Sequence, residues 1–229
     1  MTRLLLVRHG ESEYNSARRF AGHVDIGLTE GGLRQVERLR ERLSGEKIDA
    51  VYCSDLRRAQ LTAERLIEGR GLSITTCPEL REISYGEIEG LAFSEIQQKY
   101  PELAKQIRNF DLEMAFPGGE TFMEFVRRVE TFKERLANHA ESDSVLVVAH
   151  GGPLRALLCS LLGIGQTCWW QLRVDNASLS IVETFPSRAD SNSAQPAVDG
   201  AKDSRPRRAI LGLLNETHYL KEAGTPSED

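Results

Sequence analysis

Hydrophobic positions along the chain fall either into short continuous runs or into longer stretches with helical spacing. Leu4 to Val7 is the first run, and it passes directly into Arg8, His9 and Gly10. A short apolar run closed by a turn signal reads as a buried strand. The polar, aperiodic stretch from Asn15 to Ile26 reads as a loop. Thr29 then caps a helix carrying Leu33, Val36, Leu39 and Leu43 on one face. Ile48 to Cys53 predicts a second strand, and Ser54-Asp55 an N-cap for a helix running to about Glu68. Leu72 to Cys77 is a weaker third strand, followed by an aperiodic segment from Pro78 to Gly86. From Phe93 to Met114 apolar residues recur in steps of three and four, broken at Pro101, which predicts two short helices. A long amphipathic helix follows from Thr121 to about His139, with Phe122, Phe125, Val129, Phe132 and Leu136 on one side.

Ser144 to Ala149 is the clearest buried strand, and it ends in His150-Gly151-Gly152 before a helix from Pro153 to about Leu162. The succession of strand, histidine and glycine repeats that of the opening stretch. Gln171 to Val174 and Ser178 to Phe185 predict further strands, and Ile210 to Leu214 an edge strand. Pro186 to Arg208 is too polar to join a core and predicts a mobile loop; residues 221–229 form a tail. This order predicts an α/β fold of three layers, α/β/α, with a mainly parallel central sheet in one domain spanning 1–220. Ligands of such sheets lie beyond the carboxyl ends of the strands. Arg8, His9 and His150 are therefore expected at one crevice, with Gly10 letting the backbone turn away beside them.

Composition narrows the classes of function. A chain of 229 residues suffices for one large α/β domain. The net charge of -5 predicts neither nucleic acid nor membrane as partner, so any anion site must concentrate positive charge locally. The N-terminal apolar run is too short for a signal peptide, and no run approaches the ~20 residues of a membrane helix. Cys53, Cys77, Cys159 and Cys168 lack metal-ligand spacing and read as reduced thiols of a cytoplasmic protein. Monomer and homodimer are equally compatible with the sequence.

Arg57 and Arg58 fall in the first turn of a predicted helix, where the helix dipole disfavours cations and an anion would relieve the conflict. Two strand-ending histidines, helix-start arginines and a carboxylate-rich loop are the parts phosphoryl transfer needs. Arginine neutralises phosphate oxygens through its planar fork. A neutral imidazole attacks phosphorus without prior deprotonation. A carboxylic acid protonates the leaving oxygen. Several residues read more plainly: Arg57 as a surface charge, and His23, His139 and His218 as solvent-side groups, with rimming of the pocket the alternative for His23, which lies in the 15–26 loop. The 93–114 stripe reads as packing, with one end roofing the site.

Leu6-Val7-Arg8-His9-Gly10-Glu11 resembles the signature of the histidine phosphatase superfamily, which includes the cofactor-dependent phosphoglycerate mutases. Ser54-Asp55-Leu56-Arg57-Arg58-Ala59, Leu80-Arg81-Glu82 with Tyr85-Gly86, Pro117-Gly118-Gly119-Glu120 and Ala149-His150-Gly151-Gly152 resemble its further motifs, in the family's order. The resemblance spans residues 3 to about 183. It implies a phosphoglycerate mutase-like fold and a phosphomonoesterase acting on a small-molecule phosphate ester. By position it implies His9 as the phosphorylated nucleophile, Glu82 as proton donor, and Arg8, Arg58 and His150 as the rest of the phosphate pocket. Asn15, the Ala21-Gly22 backbone and the Gly151 amide match positions that line phosphate or substrate. Neither metal nor cofactor is implied. A phosphoglycerate mutase or a catalytically silent phospholigand-binding member are the alternatives. The segment between Gly90 and Pro117 is short and slightly acidic, which favours water entry over retention of a second anion, hence hydrolysis over mutation. Leu214-Asn215-Glu216-Thr217 resembles the α-ribazole phosphatase-like branch.

Overall fold

A computed structural model of the chain describes residues 1–185 and 208–220. In chain order the elements are β1 (Thr2–Arg8), α1 (Glu13–Ser16), α2 (Glu30–Arg42), β2 (Ala50–Cys53), α3 (Arg57–Ile67) and β3 (Ile74–Thr76). They continue with α4 (Phe93–Lys99), α5 (Pro101–Arg108), α6 (Phe122–Leu136), β4 (Ser144–Ala149), α7 (Gly151–Leu162), β5 (Leu179–Phe185) and β6 (Arg208–Glu216). The strands form one sheet in the order β3-β2-β4-β1-β5-β6. The first four of these run parallel, and β5 lies antiparallel to both its neighbours.

The two apolar runs become the centre of this sheet because both faces of each are covered. Leu4 and Leu6 of β1, with Val145 and Val147 of β4, point into a core with Phe122, Phe125 and Phe132 of α6 and Leu157 of α7. Leu5, Val7, Leu146 and Val148 point the other way, against Val36 and Leu39 of α2 and Ala63 and Leu66 of α3. Each such aliphatic side chain removed from water contributes about 1.5–3 kcal/mol. Thr121 starts α6 as the spacing predicts: its Oγ accepts from the Glu124 amide at 3.2 Å while the Glu124 carboxylate accepts from the Thr121 amide at 2.9 Å. Reciprocal caps of this kind contribute about 1 kcal/mol.

Four local expectations are corrected. Gln171 to Val174 is not a strand: Gln166–Gln171 forms a 3-10 turn, and 172–175 leave the sheet. Trp169 decides this, since its indole packs on Phe122 and donates Nε1–H to Gly152 O at 2.9 Å, which draws the segment over α6 and α7. The Asn15–Ile26 loop begins inside a helical turn, α1, capped by Ser12. Ser54 and Asp55 do not cap α3, whose N-cap is Leu56 and whose first amide, that of Arg57, donates to Asp25 Oδ1 at 2.8 Å. Gly10 has no left-handed backbone; a Cβ there would crowd Gly32 O and Val36, so it is needed for the close approach of α2.

The predicted loop 186–208 lies outside the described residues except for Arg208, which opens β6; the tail 221–229 lies outside them entirely. Cys53, Cys77 and Cys159 are buried, Cys168 is partly so, and all four are free thiols. Among the described residues no helix is long and apolar enough to cross a membrane.

Candidate active site

β1 and β4 are paired with Arg8 opposite Ala149, so the residues that follow each, His9 and His150, leave the sheet side by side. Their rings meet edge to face with centroids 4.9 Å apart. Cys53 of β2 sits opposite Val148, which brings Ser54 to the same end of the sheet. Local strand-to-glycine grammar, repeated in two distant stretches, thus becomes a single site through parallel pairing.

The partners of the two rings fix their tautomers. His9 Nδ1 lies 2.6 Å from Gly10 O, which only accepts, so Nδ1 carries the proton and Nε2 keeps a free lone pair. Arg58 Nε only donates, and it lies 3.2 Å from His150 Nδ1; His150 Nε2 therefore carries the proton and donates to Ser54 Oγ at 2.8 Å. Burial, followed by the charges of Arg58 and Arg8, holds His9 well below the usual histidine range. Burial, followed by Arg58 and His9, does the same to His150. Both rings are neutral near pH 7, which is the form in which an imidazole is a nucleophile or an acceptor.

The two arginines differ in what they have left to offer. Arg8 donates Nη1 to Val174 O at 2.7 Å, and its buried Nε has no acceptor among the described residues. Arg58 is fully buried and holds the loop before α2: Nη1 donates to Val24 O at 2.8 Å, and Nη2 to Gly22 O at 2.7 Å and Ala21 O at 3.3 Å. The Ala21 and Gly22 carbonyls thus face Arg58. The anion anticipated at the start of α3 is the Asp25 carboxylate, and Arg57 is exposed.

A cavity of about 220 Å³ opens over His9, bounded by Arg8, Asn15, Ala21, Glu82 and Tyr85 within and by Arg18, Arg19 and Phe20 at the rim. Gly22, Arg58, His150 and Gly151 stand behind this lining. The Gly151 amide, at the first position of α7, has no intrahelical acceptor. Asn15 Oδ1 accepts from Ser12 N at 3.1 Å, Ser12 Oγ at 2.9 Å and Asn176 Nδ2 at 3.0 Å, so its amino group is the end presented to the cavity. Glu82 Oε1 accepts from Ile83 N and Oε2 from Gly152 N, both at 3.0 Å. Burial, then the adjacent Glu82 charge, pushes the Tyr85 phenol well up, so it stays protonated. The 93–114 segment does not roof the cavity; it acts on the rim through Glu95, which pairs with Arg19 at 2.9 Å. Among the described residues no group of three or more His, Cys, Asp and Glu side chains gathers to hold a metal ion.

A model of the histidine phosphatase superfamily (branch 1) matches residues 4–194. The chain belongs to this superfamily. Phosphoserine phosphatase 1 of Hydrogenobacter thermophilus is 36% identical over 182 residues, covering 80% of this chain and 86% of that protein. The adenosylcobalamin/alpha-ribazole phosphatase of Escherichia coli is 36% identical over 182 residues, covering 79% and 89%. The crystal structure of the alpha-ribazole phosphatase from Shigella flexneri superposes with a TM-score of 0.79 at 31% identity, covering 94% and 96%. This histidine phosphatase is a phosphoric monoester hydrolase.

Several residues that build the histidine phosphatase site carry no local sequence signal. Asn176 donates to His9 O at 3.2 Å as well as to Asn15, and the Ala177 amide donates to His9 O at 3.0 Å. Arg128 binds the Glu82 carbonyl at 3.1 Å and both oxygens of Glu120, holding the acid loop from behind. His23, expected at the solvent side, is half-buried with Nε2 2.9 Å from Glu82 O; His139 is mostly buried against Tyr52, and only His218 is exposed. The Ser54-to-His150 contact was visible only as a motif letter. Its partner lies on another strand.

Proposed function

We propose that this phosphomonoesterase transfers the phosphoryl group of a small phosphate ester to His9 Nε2 and then to water. The observation that carries the reading is the tautomer of His9: with Nδ1–H spent on Gly10 O, the lone pair of Nε2 is the basic nitrogen at the floor of the cavity. Arg8 Nε, buried without an acceptor, and the Asn15 amino group supply donors for phosphate oxygens. In the first step the Nε2–P bond forms and the ester P–O bond breaks, while protonated Glu82 gives its proton to the departing oxygen. In the second step Glu82 takes a proton from water, the water oxygen bonds phosphorus, and the Nε2–P bond breaks. Gly10 O stabilises the cationic phosphorylated ring through Nδ1–H. Arg58 and His150 act from behind the lining, by positioning the 21–24 loop and by supporting the nucleophile's electrostatics.

The test is hydrolysis of 4-nitrophenyl phosphate with a chelator present, comparing wild type with His9→Ala, together with alkaline-quench mass spectrometry. Wild type is expected to turn over and to yield an acid-labile phosphoryl adduct on His9. His9→Ala is expected to lose activity by on the order of 10³-fold or more. Equal turnover by the two proteins would overturn the assignment.

A further inference from the structure

Leu214-Asn215-Glu216-Thr217, at the end of β6, lies outside the lining of the cavity, yet one turn, residues 174–178, joins it to the nucleophile. On its inner side the turn holds the site. Arg8 Nη1 donates to Val174 O at 2.7 Å, and the Arg8 amide to Ser178 O at 3.3 Å. The Ala177 amide and Asn176 Nδ2 donate to His9 O at 3.0 and 3.2 Å, and Asn176 Nδ2 also donates to Asn15 Oδ1 at 3.0 Å.

The turn does not keep this shape unaided. Ala177 is buried with φ of 52°, a left-handed backbone that is unfavourable for alanine and persists only where the surroundings enforce it. Residues 215–219 supply the enforcement. Asn215 Oδ1 accepts from the Asp175 amide at 2.7 Å, while Asn215 Nδ2 donates to Asp175 Oδ2 at 2.9 Å. The Tyr219 hydroxyl donates to Ala177 O. Asn215 sits in a bulge of β6, where residues 213–216 lie opposite 179–181; its φ is 55°, and its amide donates to Ser180 Oγ at 3.0 Å. Asparagine tolerates this backbone and carries both the acceptor and the donor that Asp175 needs. Glycine offers the conformation without the side chain, and aspartate offers no donor.

We propose that Asn215 is a positioning residue for phosphoryl transfer: by clamping the 174–178 turn it sets where His9, Arg8 and Asn15 stand against the phosphate. This deepens the phosphomonoesterase reading and rests on it. The clamp reaches the nucleophile through hydrogen bonds to the backbone of His9, so a displacement of the turn is felt at the reacting nitrogen and at the phosphate donors together.

The experiment measures kcat and KM for 4-nitrophenyl phosphate, and Kd for inorganic phosphate by calorimetry, well below the melting temperature of each protein. Asn215→Gly keeps the backbone conformation and removes both side-chain bonds to Asp175. Asn215→Asp sets two carboxylates against each other, and combining it with Asp175→Asn restores a donor between them. Both single variants are expected to lose kcat/KM by about 10-fold or more, with phosphate Kd rising in parallel, and the exchanged pair to recover most of the loss. A contribution to stability alone would leave kcat/KM and Kd of the folded variants at wild-type values, and that result overturns the proposal. An exchanged pair no better than Asn215→Asp overturns it too. The expected pattern in Kd, with no phosphate released by wild type from any ester, would instead overturn the hydrolytic reading while supporting the role of Asn215.

Discussion

Arg58 Nε donates to His150 Nδ1 across 3.2 Å, and that contact decides which nitrogen of the second histidine carries its proton. The same guanidinium closes the carbonyls of Ala21, Gly22 and Val24. Arg58→Met fills similar volume but leaves these buried acceptors unpartnered, at about 1–3 kcal/mol for each group so stranded. Urea unfolding is expected to show a loss of about 3 kcal/mol or more, and turnover to fall with it. A variant as stable as wild type would show that the loop is held by something else.

Stability should fall with pH in a window set by the two rings. His9 and His150 are held well below the usual histidine range by burial first and by neighbouring cations second. Between the folded value and the unfolded value of about 6.5, the unfolded chain binds more protons, so stability is lost as pH drops through 6.5 and regained as it rises. The slope is about 1.4 kcal/mol per pH unit for each ring. Carboxylates held low by arginine hydrogen bonds, such as Glu46 beside Arg3 and Asp55 beside Arg81, act in a separate window below about pH 4. Thermal melts at pH 7.5 and 5.5 are the check: wild type should lose stability over this interval, and His9→Ala should lose less. A flat profile for wild type is the result that contradicts burial of two neutral imidazoles.

Gly152 leaves space for the proposed proton donor. A Cβ at residue 152 would overlap Glu82 Oε1, and the Gly152 amide holds Oε2 at 3.0 Å. Gly152→Ala should therefore displace the carboxylate and resemble Glu82→Gln in its selectivity. Both should slow alkyl phosphates by at least ~10²-fold and aryl phosphates far less, because an aryl leaving group needs little protonation. Uniform slowing of both substrate types would mean that Glu82 positions the ester and transfers no proton.

Asn176 acts through Asn15. Its Nδ2–H fixes Asn15 Oδ1, and with it the amino end that faces the cavity. Asn176→Asp replaces the donor with an acceptor and should raise KM for phosphate esters by about 10-fold, more than Asn176→Ser, with little change in urea midpoint. Equal effects of the two replacements on stability and KM would point to packing alone.

Much of this architecture is encoded locally. Leu4–Val7 and Val145–Val148 are apolar at every position, and only a strand covered on both faces can accept that pattern, so the sheet's centre was legible. The helical spacing of Phe122, Phe125, Val129, Phe132 and Leu136 announced α6, because one apolar face repeats within a local window. His9 and His150 were recognisable since glycine follows each at a strand end.

What the tertiary structure decided involves partners far apart along the chain. Arg58 and His150 are separated by 92 positions, and Asn176 and Asn15 by 161, so no local window contains either contact. The resemblance implies Arg58 as part of the phosphate pocket; its hydrogen bonds to the Ala21, Gly22 and Val24 carbonyls come from burial of that loop against it, which no local window contains. Trp169 overrode a strand-like run because its indole found an apolar seat and a carbonyl above α6 and α7. Chain-local periodicity determines most of the strands and helices, and the run at 171–174 is where a tertiary contact overrides it. Desolvation and hydrogen bonding between distant segments determine which way each site residue points, and hence what it can do.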